Sequence, residues 1–195
     1  MRSVVAGVAL LACCVGACDR RKEKTPEQAF LALERAIAAG DARAFYRLLD
    51  GKTQESVKKA YEAERLQRDI VRTKFPEAQQ GPELARLEAA GQPNAEEYFV
   101  ALNKERKLIE RYRKRLGSVS GNVVTKPGGP DQMWVARQDG MPFRFRTADG
   151  GWAFEEMGEE MRLEAERAQH AVVTVRENAA IYRAAEGRKE GGPTQ

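Results

Sequence analysis

The sequence predicts an α+β domain: N-terminal helices, then a small antiparallel β-meander, then a long C-terminal helix. Three observations carry this expectation. From residue 25 to 117, apolar residues recur at helical spacing, with cap and stop residues between the runs. From about 119 to 155, short β-prone runs alternate with Gly-rich turns. From Met157 onward the helical spacing returns. Helices before and after a run of antiparallel strands pack on one face of the sheet they form.

The first 18 residues read MRSVVAGVALLACCVGAC. Arg2 precedes an apolar run from Val4 to Val15, and the small residues Gly16 and Ala17 follow. A short charged start, a short apolar stretch and a small-residue cleavage site make an export signal. The run is shorter than the ~20 residues a bilayer-crossing helix needs. A buried N-terminal helix is the competing reading, but charge begins abruptly at Asp19. The three cysteines are Cys13, Cys14 and Cys18. Cleavage before Cys18 leaves the mature chain one cysteine, and so no disulfide and no Cys-rich metal site.

Residues 19–24, DRRKEK, read as a charged tether reaching at most ~20 Å, a solvated spacer whose Arg20, Arg21, Lys22 and Lys24 have anionic headgroups as the alternative contact. Thr25-Pro26-Glu27-Gln28 then starts a helix: Thr25 caps it, Pro26 fits the first helical position, and Gln28 completes a capping box. Phe30, Leu33, Ala36 and Ile37 share its inner face. Gly40 ends it and Asp41 caps a second helix presenting Phe45, Leu48 and Leu49. A third is expected after Thr53 to about Lys74, with Val57, Tyr61, Leu66 and Ile70 inward, until Pro76. A short fourth is expected around 81–90, ending at Gly91. Asn94 with Glu97 caps a longer helix to Leu116.

Val119, Val123 and Val124 sit in a strand-like piece before the turn signal Pro127-Gly128-Gly129-Pro130. Met133–Gln138, Phe143–Thr147 and Trp152–Glu155 read as strands, with Asp139-Gly140 and Asp149-Gly150-Gly151 between them as hairpin turns. Phe143-Arg144-Phe145-Arg146 alternates, giving one aromatic and one cationic face. Beyond Met157, the residues Met161, Ala165, Ala168, Val172, Val175, Ala179 and Tyr182 form a heptad-like seam. The β-branched patch Val172–Val175 is compatible with strand, but the seam favours helix. Residues 187–195 read as a disordered tail. The expected organisation is a signal peptide at 1–17, anchor and tether at 18–24, one domain at 25–186, and the tail.

Val15-Gly16-Ala17-Cys18 resembles the lipobox of bacterial lipoproteins. That resemblance implies acylation of Cys18, which becomes the first mature residue and a covalent membrane-lipid anchor. Leu10-Leu11-Ala12-Cys13 is a second match, with a shorter apolar core and a bulky Leu11. An ordinary cleaved secretory signal is the third reading. The implied location is a bacterial cell membrane or outer membrane, facing the periplasm or exterior. In some lineages Asp after the lipidated cysteine favours the inner membrane, and Asp19 stands there.

The stretch 25–50, TPEQAFLALERAIAAGDARAFYRLLD, is similar to the opening helix pair of nuclear-transport-factor-2-like, cystatin-related domains. RQDGMPFRFRTADGGWAFEE is similar to their terminal hairpins. The resemblance implies a helix-on-sheet domain of a kind carried by many small bacterial lipoproteins, some of whose relatives are enzymes with a cone-shaped pocket. The helical stretch 53–116 and the long helix after Glu155 depart from that pattern.

Charge is 33 Lys and Arg against 29 Asp and Glu, or +4 over 195 residues. This mild balance, with export, argues against nucleic acid as a partner. The single histidine, His170, has no motif around it, and no nucleophile elbow accompanies it. Zinc needs more His or Cys ligands than the mature chain has, and the Gly-rich turns lack the Lys-Ser/Thr of a phosphate loop. No catalytic residue, cofactor or metal is therefore expected. Glu155, Glu156, Glu159 and Glu160 suit a helix N-terminus. The basic stretch from Lys104 to Arg115 is read as a solvated face, with anionic lipid as the alternative. Arg137, Arg144 and Arg146 form a candidate patch for an anionic ligand, set against the plain outer face of a sheet. Three functions follow. The preferred one is a non-enzymatic lipid-anchored domain binding an envelope protein, glycan or small ligand. The others are an envelope enzyme using a fold pocket, and an assembly lipoprotein self-associating through the 161–182 seam.

Overall fold

A computed structural model describes residues 23–117 and 121–190, with side chains to residue 187. The signal region, Cys13, Cys18, Val119 and residues 191–195 lie outside the described residues. The order is α1 (Pro26–Ala39), α2 (Ala42–Leu48), α3 (Gly51–Lys74), α4 (Glu77–Arg86), a 3₁₀ turn (Ala89–Gly91), α5 (Ala95–Arg106), α6 (Leu108–Leu116), β1 (Val123–Gly129), β2 (Gln132–Arg137), β3 (Phe143–Ala148), β4 (Gly151–Phe154) and α7 (Gly158–Glu190). It is the α+β arrangement the sequence implies, with the strands in order β1-β2-β3-β4, all antiparallel. Among the described residues no helix is long and apolar enough to cross a membrane.

Local chemistry sets the helix ends. The Gln28 N–H donates to Thr25 Oγ1 at 3.2 Å, and Gly40 takes φ +66° to close α1. The Ala44 N–H donates to Asp41 Oδ1 at 3.0 Å, starting α2. α3 begins three residues earlier than expected, because Asp50 and not Thr53 is its cap. The buried Asp50 carboxylate accepts the Lys52 and Thr53 N–H groups and the Thr53 hydroxyl. α4 begins after Pro76 and encloses Pro82, so the expected 81–90 helix lies four residues earlier. The long helix from Asn94 is two helices: Lys107 takes the left-handed φ of +52°, and Asn103 Oδ1 accepts the Ile109 N–H at 2.8 Å to start α6. At the other end α7 runs on through residues 187–190, which were expected in the tail.

The sheet presents one face to α1, α2, α5 and α6. Register puts Val135, Phe143, Phe145 and Phe154 on that face, where they meet Phe30, Phe45, Phe99 and Tyr112. Ring centroids lie 5.4–6.4 Å apart in tilted, edge and stacked pairs. Such pairs add roughly 0.5–1.5 kcal/mol each beyond the area they bury. A second core lies between α3, α4 and α7, built from Ile70, Val71, Phe75, Leu87, Ala168, Val172, Val175 and Ala179. Gly158 stands beside Thr53 and Tyr182 beside Phe75, so α3 and α7 run parallel. The Val172–Val175 patch is helical. Leu66, expected inward, is 40% exposed. Its neighbour Gln67 is fully buried instead, donating to the Ala168 carbonyl at 2.8 Å and accepting from Arg86.

Candidate functional site

The three candidate anion-binding arginines do not make one patch. Arg137 pairs with Val123 in the sheet register, which puts it on the helix-facing side. There it grips Glu34 of α1 through Nε at 2.9 Å and Nη2 at 2.6 Å, and donates Nη1 to the Gly121 carbonyl. Arg144 and Arg146 are on the opposite face, beside Trp134 and Gln132. Each places Nε 3.1 Å from a different oxygen of Glu155, and Gln132 also donates to that carboxylate. Arg144 further lies over the Trp134 ring at 5.5 Å. All three guanidinium groups are thus engaged by carboxylates of the same chain. An incoming anion has to compete with Glu34 or Glu155.

The arginines of the basic stretch of α5 and α6 are likewise engaged, while Lys104, Lys107 and Lys114 are exposed. Arg106 pairs with Glu164 at 2.8 Å, Arg111 with Glu160 at 2.7 Å, and Arg115 with Glu156. Arg113 reaches back to the Ile37 carbonyl. These links tie α5 and α6 to the start of α7. The acidic cluster at 155–160 is therefore a set of ion-pair partners as well as a helix start. His170 is exposed on α7. The 161–182 seam is buried against α3 of the same chain, so that surface is already covered.

A pocket enzyme would need a cavity with at least two polar groups. Between helices and sheet the space is occupied by the aromatic cluster described above. A carboxyl and a phenol meet in the helical core at Glu64 of α3 and Tyr98 of α5. Burial, above all else, pushes both the Glu64 carboxyl and the Tyr98 phenol upward in pKa. Arg106 and Glu164 complete the cluster. The cluster joins α3, α5 and α7. Among the described residues, no His, Cys, Asp and Glu group could hold a metal ion.

The described surface does carry one large open groove, of about 970 Å³, where the chain enters the domain. Its floor is the small-residue side of α1, Ala32, Ala36 and Ala39. Ala44, Tyr46 and Leu48 of α2 form one wall, and Gln54, Glu55 and Lys58 of α3 the other. Glu23 and Asp149 stand at the rim. Glu23 is fixed there because the Trp152 N–H donates to its carbonyl at 2.8 Å, an isolated bridge on the β4 edge. Asp149 is held by the β3–β4 hairpin, where it takes φ +52° and Gly150 φ +78°, a pair of positive values that suits a tight two-residue turn. Arg47 and Glu96, both in its lining, pair at 2.8 Å. A second hollow of about 500 Å³ shares Glu23 and Arg35 and leads over α1 toward Arg137. The sequence reading did not anticipate the groove. The signal for it was the alanine run of α1, which reads simply as good helix-forming residues. No protein-family model matches the chain, and no curated protein or solved structure matches it either.

Proposed function

We propose that this protein is a lipid-anchored domain of the bacterial cell envelope that binds an envelope protein or glycan and performs no catalysis. The observation that carries the reading is the lipobox-like Val15-Gly16-Ala17-Cys18 so close in sequence to Glu23, which is bridged to the β4 edge. The bridge at Trp152 leaves only residues 19–22 between Cys18 and the domain, a span of ~14 Å at most. The folded body then works beside the bilayer, on the membrane face that export reaches. The filled aromatic interior and the self-paired arginines support a binding role over a pocket enzyme. The nearly balanced charge supports a protein or glycan partner and no nucleic acid.

The anchor is tested by the intact mass of the N-terminal peptide from cells, comparing wild type with Cys18→Ala. The expected result is a diacyl or triacyl mass on Cys18 and an unlipidated, unprocessed Cys18→Ala chain. Lipid retained in Cys18→Ala would move the anchor to Cys13, and an unacylated cleaved chain would make the leader an ordinary secretory signal. Envelope crosslinking and pull-down of the native lipoprotein then identifies the partner.

A further inference from the structure

The N-terminal entry and the groove meet at Glu23, and the sheet edge decides where the preceding residues go. Glu23 lies antiparallel beside Trp152 on β4. Continued backward, that pairing would set residue 21 against Phe154. The place is taken: Leu49 bridges Phe154 in parallel, and the Asp50 N–H donates to the Phe154 carbonyl at 2.9 Å. The antiparallel pairing on this edge therefore cannot extend as far as Phe154. The neighbouring surface is the groove, to whose lining Glu23, Leu48, Gly51 and Gln54 all contribute.

Charge points the same way. With Arg47 engaged by Glu96, the groove keeps Glu23, Asp41, Glu55 and Asp149 against Arg35 and Lys58. The segment that arrives is Asp19-Arg20-Arg21-Lys22, three cations to one anion. Four residues span at most ~14 Å, so the segment cannot carry its charges far from this rim.

We infer that residues 19–22 of this chain are the occupant of the groove, lying over the alanine floor of α1 with their cations against the acidic rim. Seated this way, the segment delivers residue 18 to one fixed place on the α1–α2–α3 face. The seating needs no lipid. Its consequence, that this face is turned to the bilayer, rests on the proposed acylation of Cys18. Exposed ion pairs are weak singly and are screened by salt, so the seating depends on several acting together and loosens as ionic strength rises.

The test uses the full chain made in cells, with a photo-crosslinking phenylalanine analogue in place of the exposed groove residue Lys58, and adducts mapped by mass spectrometry. The expected adduct joins position 58 to residues 19–22 of the same chain. Its yield is expected to fall several-fold in Glu55→Lys/Asp149→Asn and at high salt. Both substitutions are at exposed positions, and a thermal melt of the variant confirms that the fold persists. An adduct only to another protein, only to lipid, or to neither overturns the inference, as does a yield indifferent to the rim charges. The intact mass of the same sample reads acylation of Cys18, so a failed anchor and a failed seating are told apart.

Discussion

Glu64 is a carboxyl for which burial outweighs its favourable contacts. It faces Tyr98 and Arg106 from α5, Glu164 from α7 and, at longer range, Arg86 from α4. Its pKa in the folded chain therefore lies above the unfolded value. A carboxyl raised on folding contributes stability that is fully present below the unfolded pKa and is lost as pH rises through the folded one. Glu64→Gln, a neutral isostere, is expected to be more stable than wild type at pH 7–8, with the advantage closing as pH falls toward 4. Urea midpoints across that range check it, and a variant less stable at pH 8 would contradict the account. Lys107 is a second residue under local tension. It is exposed and takes φ +52°, a left-handed conformation costing a non-glycine residue about 1 kcal/mol. Lys107→Gly is expected to stabilise by about 0.5–1 kcal/mol, with the gain trimmed by glycine's larger unfolded-state entropy. A denaturation midpoint that falls would show that the lysine side chain contributes more than its backbone costs.

At the scale of elements, the sequence was most legible where periodicity and caps agreed. Thr25, Asp41 and Asn94 cap where expected, and the Asp149-Gly150 turn closes the last hairpin. It was least legible where a tertiary contact overrides local preference. Leu66 reads as core beside Gln67, yet Gln67 is the buried residue, because its amide finds both a carbonyl on α7 and a guanidinium on α4. The break at Lys107 has no Gly or Pro to announce it, and Asn103 supplies the cap from within what reads as one helix. The alternation Phe143-Arg144-Phe145-Arg146 correctly separated aromatic from cationic faces. It did not reveal that Arg137, on β2, belongs to the other side, since strand register is a pairing property. The seam of α7 was equally clear, but not its partner, which is α3. This moves the consequence of charging it from assembly to folding. Ala168 is 6% exposed against α3. Ala168→Asp is expected to destabilise by several kcal/mol, on the order of 3, because it puts a carboxylate into an apolar, closely packed helix interface. Its solution mass is expected to match that of wild type. Unchanged stability would mean that α7 does not lie on α3 as described.

For the whole molecule, two cores of different quality share two long helices. The core under the sheet holds most of the large aromatic side chains. The core of α3, α4 and α7 is mainly Ala, Val and Ile, with Phe75 and Leu87 as its large members and Tyr182 at its margin. Apolar burial contributes roughly 25 cal/mol per Å², so the second core has less holding it closed. The groove lies against the first core. It could not be read from the sequence, because three helices, a hairpin tip and the entering chain meet there from distant positions. Glu23, Asp41, Glu55 and Asp149 become neighbours only on folding. This division sets an order of opening. Regions with few buried apolar contacts open sub-globally, below the cost of complete unfolding. Native-state hydrogen exchange is expected to show α4 and the second half of α7, from about Val172, exchanging through a lower-energy opening than α1, α5 and strands β2–β4. Glu23 and the groove-lining first turns of α3 belong with the slower group, so the tether's seat stays formed while the far end of the helix pair opens. Uniform protection along α7 would show instead that the two cores unfold as one unit.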